Sequence, residues 1–130
     1  MSGERYADAV EDVLEQHEGI LFAYLYGSRV KGVEREDSDL DIAVYTDNGL
    51  EPRELSRLII ALEDATGEEV DVAVLNDAGV IFQHQVVKYG EPVYVADEEV
   101  RIAFETRVYR RYDDYKPFFE EYNRVRRVTA

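Results

Sequence analysis

Leu25-Tyr26-Gly27-Ser28, followed after ten residues by Asp39-Leu40-Asp41-Ile42, is the stretch on which the fold turns. The apolar run from Ile20 to Tyr26 has the length of a strand and stops at Gly27. Leu40, Ile42 and Val44 alternate with Asp39, Asp41 and Ala43, which predicts a second strand carrying its carboxylates on one face. Asp39 and Asp41 can then share metal ions, because hard cations such as Mg²⁺ take oxygen from one or two carboxylates and from substrate phosphates. Gly27 lets the backbone approach phosphate oxygens closely, and the Ser28 hydroxyl with nearby N–H groups can donate to a triphosphate. Arg29 and Lys31 are near enough in sequence to add positive charge. The stretch therefore predicts a site for a nucleoside triphosphate and its metal ions.

Further along, Val70 to Leu75 reads as a third strand with Asp71 set between Val70 and Val72. An unpaired charge in so apolar a strand is costly to bury. If this strand lies beside the second, Asp71 completes a three-carboxylate cluster with Asp39 and Asp41. Two metals about 4 Å apart in such a cluster can clamp the attacking and leaving oxygens of an in-line phosphoryl displacement. A Gly-Ser pair alone is usually a turn, an Asp-x-Asp alone usually a solvated face, and a lone strand Asp often a cap or edge residue. The ordered combination is what carries the specificity.

The remaining elements follow from periodicity. Apolar positions Tyr6, Ala9, Val10, Val13 and Leu14 predict a helix over 4–17 that Gly19 ends. Residues 29–38 are polar and read as a loop, and Thr46-Asp47-Asn48-Gly49 as a turn. Pro52 suits a helix start, Leu55, Leu58, Ile59 and Leu62 form its buried stripe, and Gly67 closes it. Val80 to Tyr89 reads as a helix stopped by Gly90. Glu91 to Val95 reads as a short edge strand, since Pro92 discourages a central position. A long helix is expected from Asp97 to Lys116, with Pro117 breaking or kinking it before a last short helix.

Composition narrows the function classes. A chain of 130 residues is expected to form one domain, and 45% hydrophobic content supplies a core. No apolar run approaches 18 residues, and the acidic, polar N-terminus does not look like a secretory signal, so a cytoplasmic location is expected. The absence of cysteine excludes disulfides and thiolate metal sites. A net charge of −14 argues against bulk nucleic-acid binding, which needs a basic face. Solubility accounts for the acidity, and adaptation to high salt is a second reading, because the chain has 3 Lys against 12 Arg.

Tyr26-Gly27-Ser28-Arg29, Ser38-Asp39-Leu40-Asp41-Ile42-Ala43-Val44 and Val70-Asp71-Val72 resemble the minimal nucleotidyltransferases of the DNA polymerase β superfamily. Within it they are most similar to the MNT proteins that pair with HEPN proteins in prokaryotic toxin–antitoxin modules. The resemblance spans roughly residues 5–115 and implies an α/β (α+β) nucleotidyltransferase fold, a mixed β-sheet flanked by helices, as a single domain over 1–130 with a helical tail from about 97 to 130. It implies ATP as substrate and Mg²⁺ as cofactor, two ions expected, with Mn²⁺ as a substitute. It further implies that Asp39 and Asp41 bridge the metals, that Asp71 helps hold the catalytic one, and that Gly27 and Ser28, with Arg29 beside them, hold the triphosphate. Val30 stands where the family usually has a smaller residue, and the loop from Ser28 to Asp39 is unusually charged.

Larger relatives that modify aminoglycosides or extend RNA carry an added acceptor-binding domain, which 130 residues leave no room for. The acceptor is then expected to be another protein, or to be bound jointly with one. The resemblance implies transfer of AMP to a tyrosine of a HEPN-family RNase toxin. Two other readings stay open: an antitoxin acting by binding alone, and a transferase for a small acceptor such as an antibiotic. Phe104, Val108, Tyr112, Tyr115, Phe119 and Tyr122 fall near one helical face. They are expected to pack on the chain's own sheet, the other reading being a surface for a partner or a second copy. Arg107, Arg110 and Arg111 read as a solvated face, and His17 and His84, which lack metal-ligand spacing, as structural or surface residues.

Overall fold

The computed structural model describes residues 2–27 and 40–129, with side-chain surroundings for 6–27 and 40–125. The elements run α1 (Ser2–Glu15), β1 (Ile20–Tyr26), β2 (Leu40–Thr46), α2 (Pro52–Thr66), β3 (Val70–Val74), α3 (Val80–Tyr89), β4 (Glu91–Val95) and α4 (Glu98–Thr129). Periodicity predicts this order. The first helix sits two residues earlier than expected at each end and hands over to β1 through a turn.

The four strands form one sheet in the order β3-β2-β1-β4. β1 runs antiparallel to both β2 and β4, whereas β2 and β3 are parallel, so the sheet is mixed. The two central strands are the two most buried, as expected of strands covered on both faces. β4 is an edge strand, and the edge is where a proline such as Pro92 costs least.

Parity along the strands divides the core into two layers. Ala23, Leu25, Leu40, Ile42, Val44, Val70 and Val72 face α1 and α2, which contribute Tyr6, Val10, Leu14, Leu58 and Leu62. Phe22, Tyr24 and Ala43 face the other way, onto Val86 of α3 and Phe104 and Val108 of α4. Ile20 belongs to the first layer and Phe22 to the second, although strict alternation would put both on one side. The pairing register of β1 shifts between these two residues, and that irregularity changes the parity.

Local chemistry fixes the helix ends. Pro52 takes the first position of α2, and the Glu51 N–H donates to the Glu54 carboxylate at 3.0 Å. Gly67 closes α2 with its N–H donating to the Glu63 carbonyl at 2.8 Å. α3 ends at Gly90, where a Cβ would lie 2.5 Å from the Val86 carbonyl oxygen and 3.1 Å from that of Leu25. The tight exit from the last turn of α3 therefore requires glycine, with the β1 backbone close behind it.

α4 departs from expectation. It is one helix of 32 residues that runs through Pro117 rather than breaking there into two. Proline removes one backbone donor and leaves the Asp113 carbonyl without its intrahelical partner. Residues 113–118 are all exposed, so water can take the freed carbonyl and the helix continues.

The aromatic face of α4 divides in two. Phe104 and Val108 are buried in the second layer, with Phe104 tilted on Phe22 and Tyr45 at ring separations of 5.4 and 4.9 Å. The Tyr24 hydroxyl donates to the Glu105 carboxylate, which Arg101 also grips at 2.8 Å. Next, Tyr112 stacks flat on His84 of α3 at 3.5 Å. His84 is buried, its Nδ1 has no partner among the described residues, and burial pushes its pKa down, helped by Lys88, so the ring is held neutral. Tyr115 and Phe118 beyond are exposed. Among the described residues no helix is long and apolar enough to cross a membrane.

Phe104→Ala is expected to lower the unfolding free energy by about 3–5 kcal/mol, the usual cost of emptying a buried aromatic site. Phe118→Ala is expected to change it by less than about 0.5 kcal/mol, as at an exposed position. Urea denaturation of the two variants checks the division of the α4 face.

Candidate functional site

The parallel pairing of β2 and β3 sets Asp41 directly beside Asp71, between the pairs Leu40↔Val70 and Ile42↔Val72. Residues paired in register across neighbouring strands point to the same face. Leu40, Ile42, Val70 and Val72 are all committed to the α1/α2 layer, so both carboxylates project on the α3/α4 side. Asp41 is half-buried, being on a central strand, and Asp71 is exposed. The burial cost anticipated for Asp71 does not arise, because β3 is an edge strand.

β1 supplies the other wall. Tyr26 is paired with Asp41, and its ring meets Phe82 of α3 edge-on at 5.5 Å and 85°. Burial pushes the Tyr26 phenol up to about 12, and the negative charges of Asp41 and Asp71 push the same way. Immediately after it, Gly27 has φ +90°, and a Cβ there would collide with Asp41 Oδ2. The glycine is needed twice over: its backbone lies where side chains are disfavoured, and its missing side chain is the space that Asp41 fills.

Three of the residues anticipated from sequence are thus brought together: Gly27 and Asp71, each beside Asp41. Ser28, Arg29 and Asp39 lie outside the described residues. Among the described residues no group of three or more His, Asp or Glu could hold a metal ion, and Asp41 with Asp71 makes a pair. Tyr26 and Phe82 escaped the sequence reading. The role of Tyr26 is visible only once the antiparallel register sets it opposite Asp41; a signal was there in its place directly before Gly27. Elsewhere, a cavity of about 340 Å³ lies among His17, Gly19, Asp47, Gly49, Glu51 and Glu54. It lies at the opposite end of β1 and β2 and takes no part in this constellation.

The sequence model of the family described as "Polymerase beta, Nucleotidyltransferase" matches residues 8–99. The protein of Methanocaldococcus jannaschii named "Putative protein adenylyltransferase" is 32% identical over 75 residues, 58% of this chain and 80% of that protein. The fold is similar to that in a crystal structure of a toxin–antitoxin with AMP-PNP, with a TM-score of 0.78, 23% identity and coverage of 95% of this chain and 98% of the other. It is also similar to a chain of the complex of a tri-AMPylated Shewanella oneidensis HEPN toxin with MNT antitoxin, with a TM-score of 0.71, 21% identity and full coverage of both chains (100% each). At such identities these two likenesses establish the fold.

The raised Tyr26 pKa has a consequence for stability. A tyrosine ionises near 10 in the unfolded chain and near 12 here, so the folded state keeps a proton that the unfolded state gives up. That stabilisation is whole below pH 10 and is lost as pH rises through about 12. Tyr26→Phe is therefore expected to lose less stability than the parent chain between pH 10 and 12, read from urea midpoints across that range. Gly27→Ala and Gly49→Ala both place a side chain at positive φ (+90° and +79°), a strain of about 1–2 kcal/mol. Gly27→Ala is expected to cost more, since a methyl group at Gly49 meets nothing within 4 Å. The same denaturation experiment compares them.

Proposed function

The chain belongs to the polymerase β nucleotidyltransferase family, and from that premise we propose that it transfers AMP from ATP to a tyrosine hydroxyl of a partner HEPN RNase toxin, acting as the antitoxin in the cytoplasm. The observation that carries this reading is the register Asp41↔Asp71 on one face, with Gly27 held open against Asp41. The protein acceptor is supported by the adenylyltransferase relative and by the toxin–antitoxin complexes that share the fold.

The donor set fits Mg²⁺. Asp41 and Asp71 are oxygen donors side by side on one face of the sheet, Asp41 on central β2 and Asp71 on edge strand β3, and Asp39, two residues from Asp41, would add a third carboxylate. Bound Mg²⁺ would neutralise charge on the triphosphate and polarise the α-phosphate. Gly27 leaves the space in which the Asp41 carboxylate sits, and Ser28 and Arg29, next in sequence, would donate to the triphosphate. Tyr26, backed by Phe82, stands beside Asp41 on the neighbouring strand. Asp71 stands on the exposed side, where an acceptor hydroxyl enters. That oxygen forms a bond to the α-phosphorus in line with the bond to the β-phosphate oxygen, which breaks and releases pyrophosphate. The hydroxyl proton passes to the Asp71 carboxylate.

Purified chain with Mg²⁺, ATP labelled at the α-phosphate and the protein encoded by the adjacent gene is expected to label a tyrosine of that protein. Asp41→Asn and Asp71→Asn are each expected to cut the rate about 100-fold or more with the circular dichroism spectrum unchanged. Equal labelling by the variants, or no label on the partner, overturns the reading. Full neutralisation of the toxin by the combined Asp39→Asn, Asp41→Asn, Asp71→Asn variant would show that binding alone silences it.

A further inference from the structure

One row of side chains crosses the sheet at the site. Tyr26 on β1 pairs with Asp41 on β2, and Asp41 pairs with Asp71 on β3, so the three stand side by side on the α3/α4 face. Side chains leave a sheet roughly at right angles to it. A tyrosine is longer than an aspartate, so the Tyr26 hydroxyl reaches farther from the sheet than either carboxylate. It lies at the height of whatever the carboxylates hold. Phe82 of α3 meets the ring edge-on at 5.5 Å and limits its tilt.

Packing accounts for the ring but not for the hydroxyl, since phenylalanine would fill the same place. Elsewhere the chain ties its tyrosine hydroxyls to carboxylates: Tyr6 donates to Glu68 at 3.0 Å, and Tyr24 donates to Glu105. The Tyr26 phenol feels the charges of both Asp41 and Asp71, yet among the described residues its hydroxyl has no hydrogen-bond partner. The residue is half-buried. Burial first, and then the two carboxylates, keep the phenol protonated at neutral pH, so it remains an uncharged donor. A nucleotide held at Asp41 and Asp71 through a cation brings anionic oxygens to the height of this hydroxyl. A hydrogen bond to such an oxygen is stronger than one to a neutral acceptor. We propose that Tyr26 is a further triphosphate-binding residue, its hydroxyl donating to a phosphate oxygen of the nucleotide held at Asp41 and Asp71. The inference rests on the nucleotide-transfer reading above and adds a fourth residue to Gly27, Ser28 and Arg29. The hydrogen bond is made to bound nucleotide before transfer begins, so its loss acts on KM for ATP rather than on kcat.

The test compares the whole chain with Tyr26→Phe, which removes the hydroxyl and keeps the ring against Phe82. Binding of AMP-PNP with Mg²⁺, read by isothermal titration calorimetry with no acceptor present, is expected to weaken at least about tenfold. Binding of Mn²⁺ without nucleotide, read by electron paramagnetic resonance, is expected to be unchanged, as is the urea midpoint at neutral pH. In the transfer assay KM for ATP is expected to rise about tenfold, with kcat within about threefold of the parent chain. Equal AMP-PNP affinity in the two chains overturns the inference and leaves the nucleotide-transfer reading standing. So does a parallel loss of Mn²⁺ affinity, which would mean that Tyr26 acts through Asp41, or a fall in kcat at constant KM. A lowered urea midpoint would make the hydroxyl a structural one and overturns the inference too. A parent chain that binds no AMP-PNP overturns both readings. Weakened AMP-PNP binding by Tyr26→Phe, with no AMP transfer to a partner, upholds this inference and sinks the protein acceptor alone.

Discussion

The parallel pairing of β2 with β3 is the constraint on which the rest depends. Leu40, Ile42, Val70 and Val72 all belong to the layer under α1 and α2, and strand parity leaves them one compatible alignment. A slip of one residue would turn Val70 and Val72 out to the opposite face and drive Asp71 into the apolar layer. The cost of burying that charge, together with the lost apolar burial, rules the slip out. The carboxylates are aligned, in effect, by the residues on either side of them. Chemistry on one face of the sheet is specified by packing on the other.

β1 conveys this order to the other half of the molecule. Its register shift between Ile20 and Phe22 lets a single strand send Ile20 to one layer and Phe22, Tyr24 and Tyr26 to the other. Phe22 stacks on Tyr45 at 4.8 Å, and both rings meet Phe104, which anchors α4. The Tyr24 hydroxyl and Arg101 meet at Glu105 and fix the same helix by polar contact. Tyr26, last in the series, no longer holds a helix by its middle; it packs on Phe82 and faces Asp41. Along one strand the aromatic side chains pass from core packing to the wall of a site.

Much of this was legible in the sequence because apolar periodicity reports directly on burial. The eight elements in order, the edge position of β4 from Pro92, and the common side of Asp41 and Asp71 all follow from which residues avoid water. What periodicity does not carry is strand order. Asp71 looked like a buried charge because Val70 and Val72 flank it, and only the edge position of β3 shows it to be exposed. Tyr26 was illegible for the same reason, since its nearness to Asp41 is a fact of register. Pro117 misled because its rule assumes that the lost hydrogen bond is not replaced, whereas α4 is exposed there. Ser28, Arg29 and Asp39 were read from sequence and lie outside the described residues.

The acidity of the chain bears on the site as well as on solubility. A net charge of −14 raises the energy of an approaching triphosphate, although at physiological salt the repulsion from carboxylates more than about 8–10 Å away is largely screened. The charges that matter for a nucleotide are then those within that radius, and Asp41 and Asp71 are themselves negative. Affinity for an anion at such a place has to come from local cations and from donors with no charge of their own. On the proposed reading, that ranks local donors above the bulk composition: uncharged donors add attraction without desolvating another ion, and a guanidinium at short range acts where screening is weak. A protein can thus be strongly acidic overall and still hold a triphosphate, provided that the acid residues elsewhere are distant in Debye lengths and those at the site are shared with a cation.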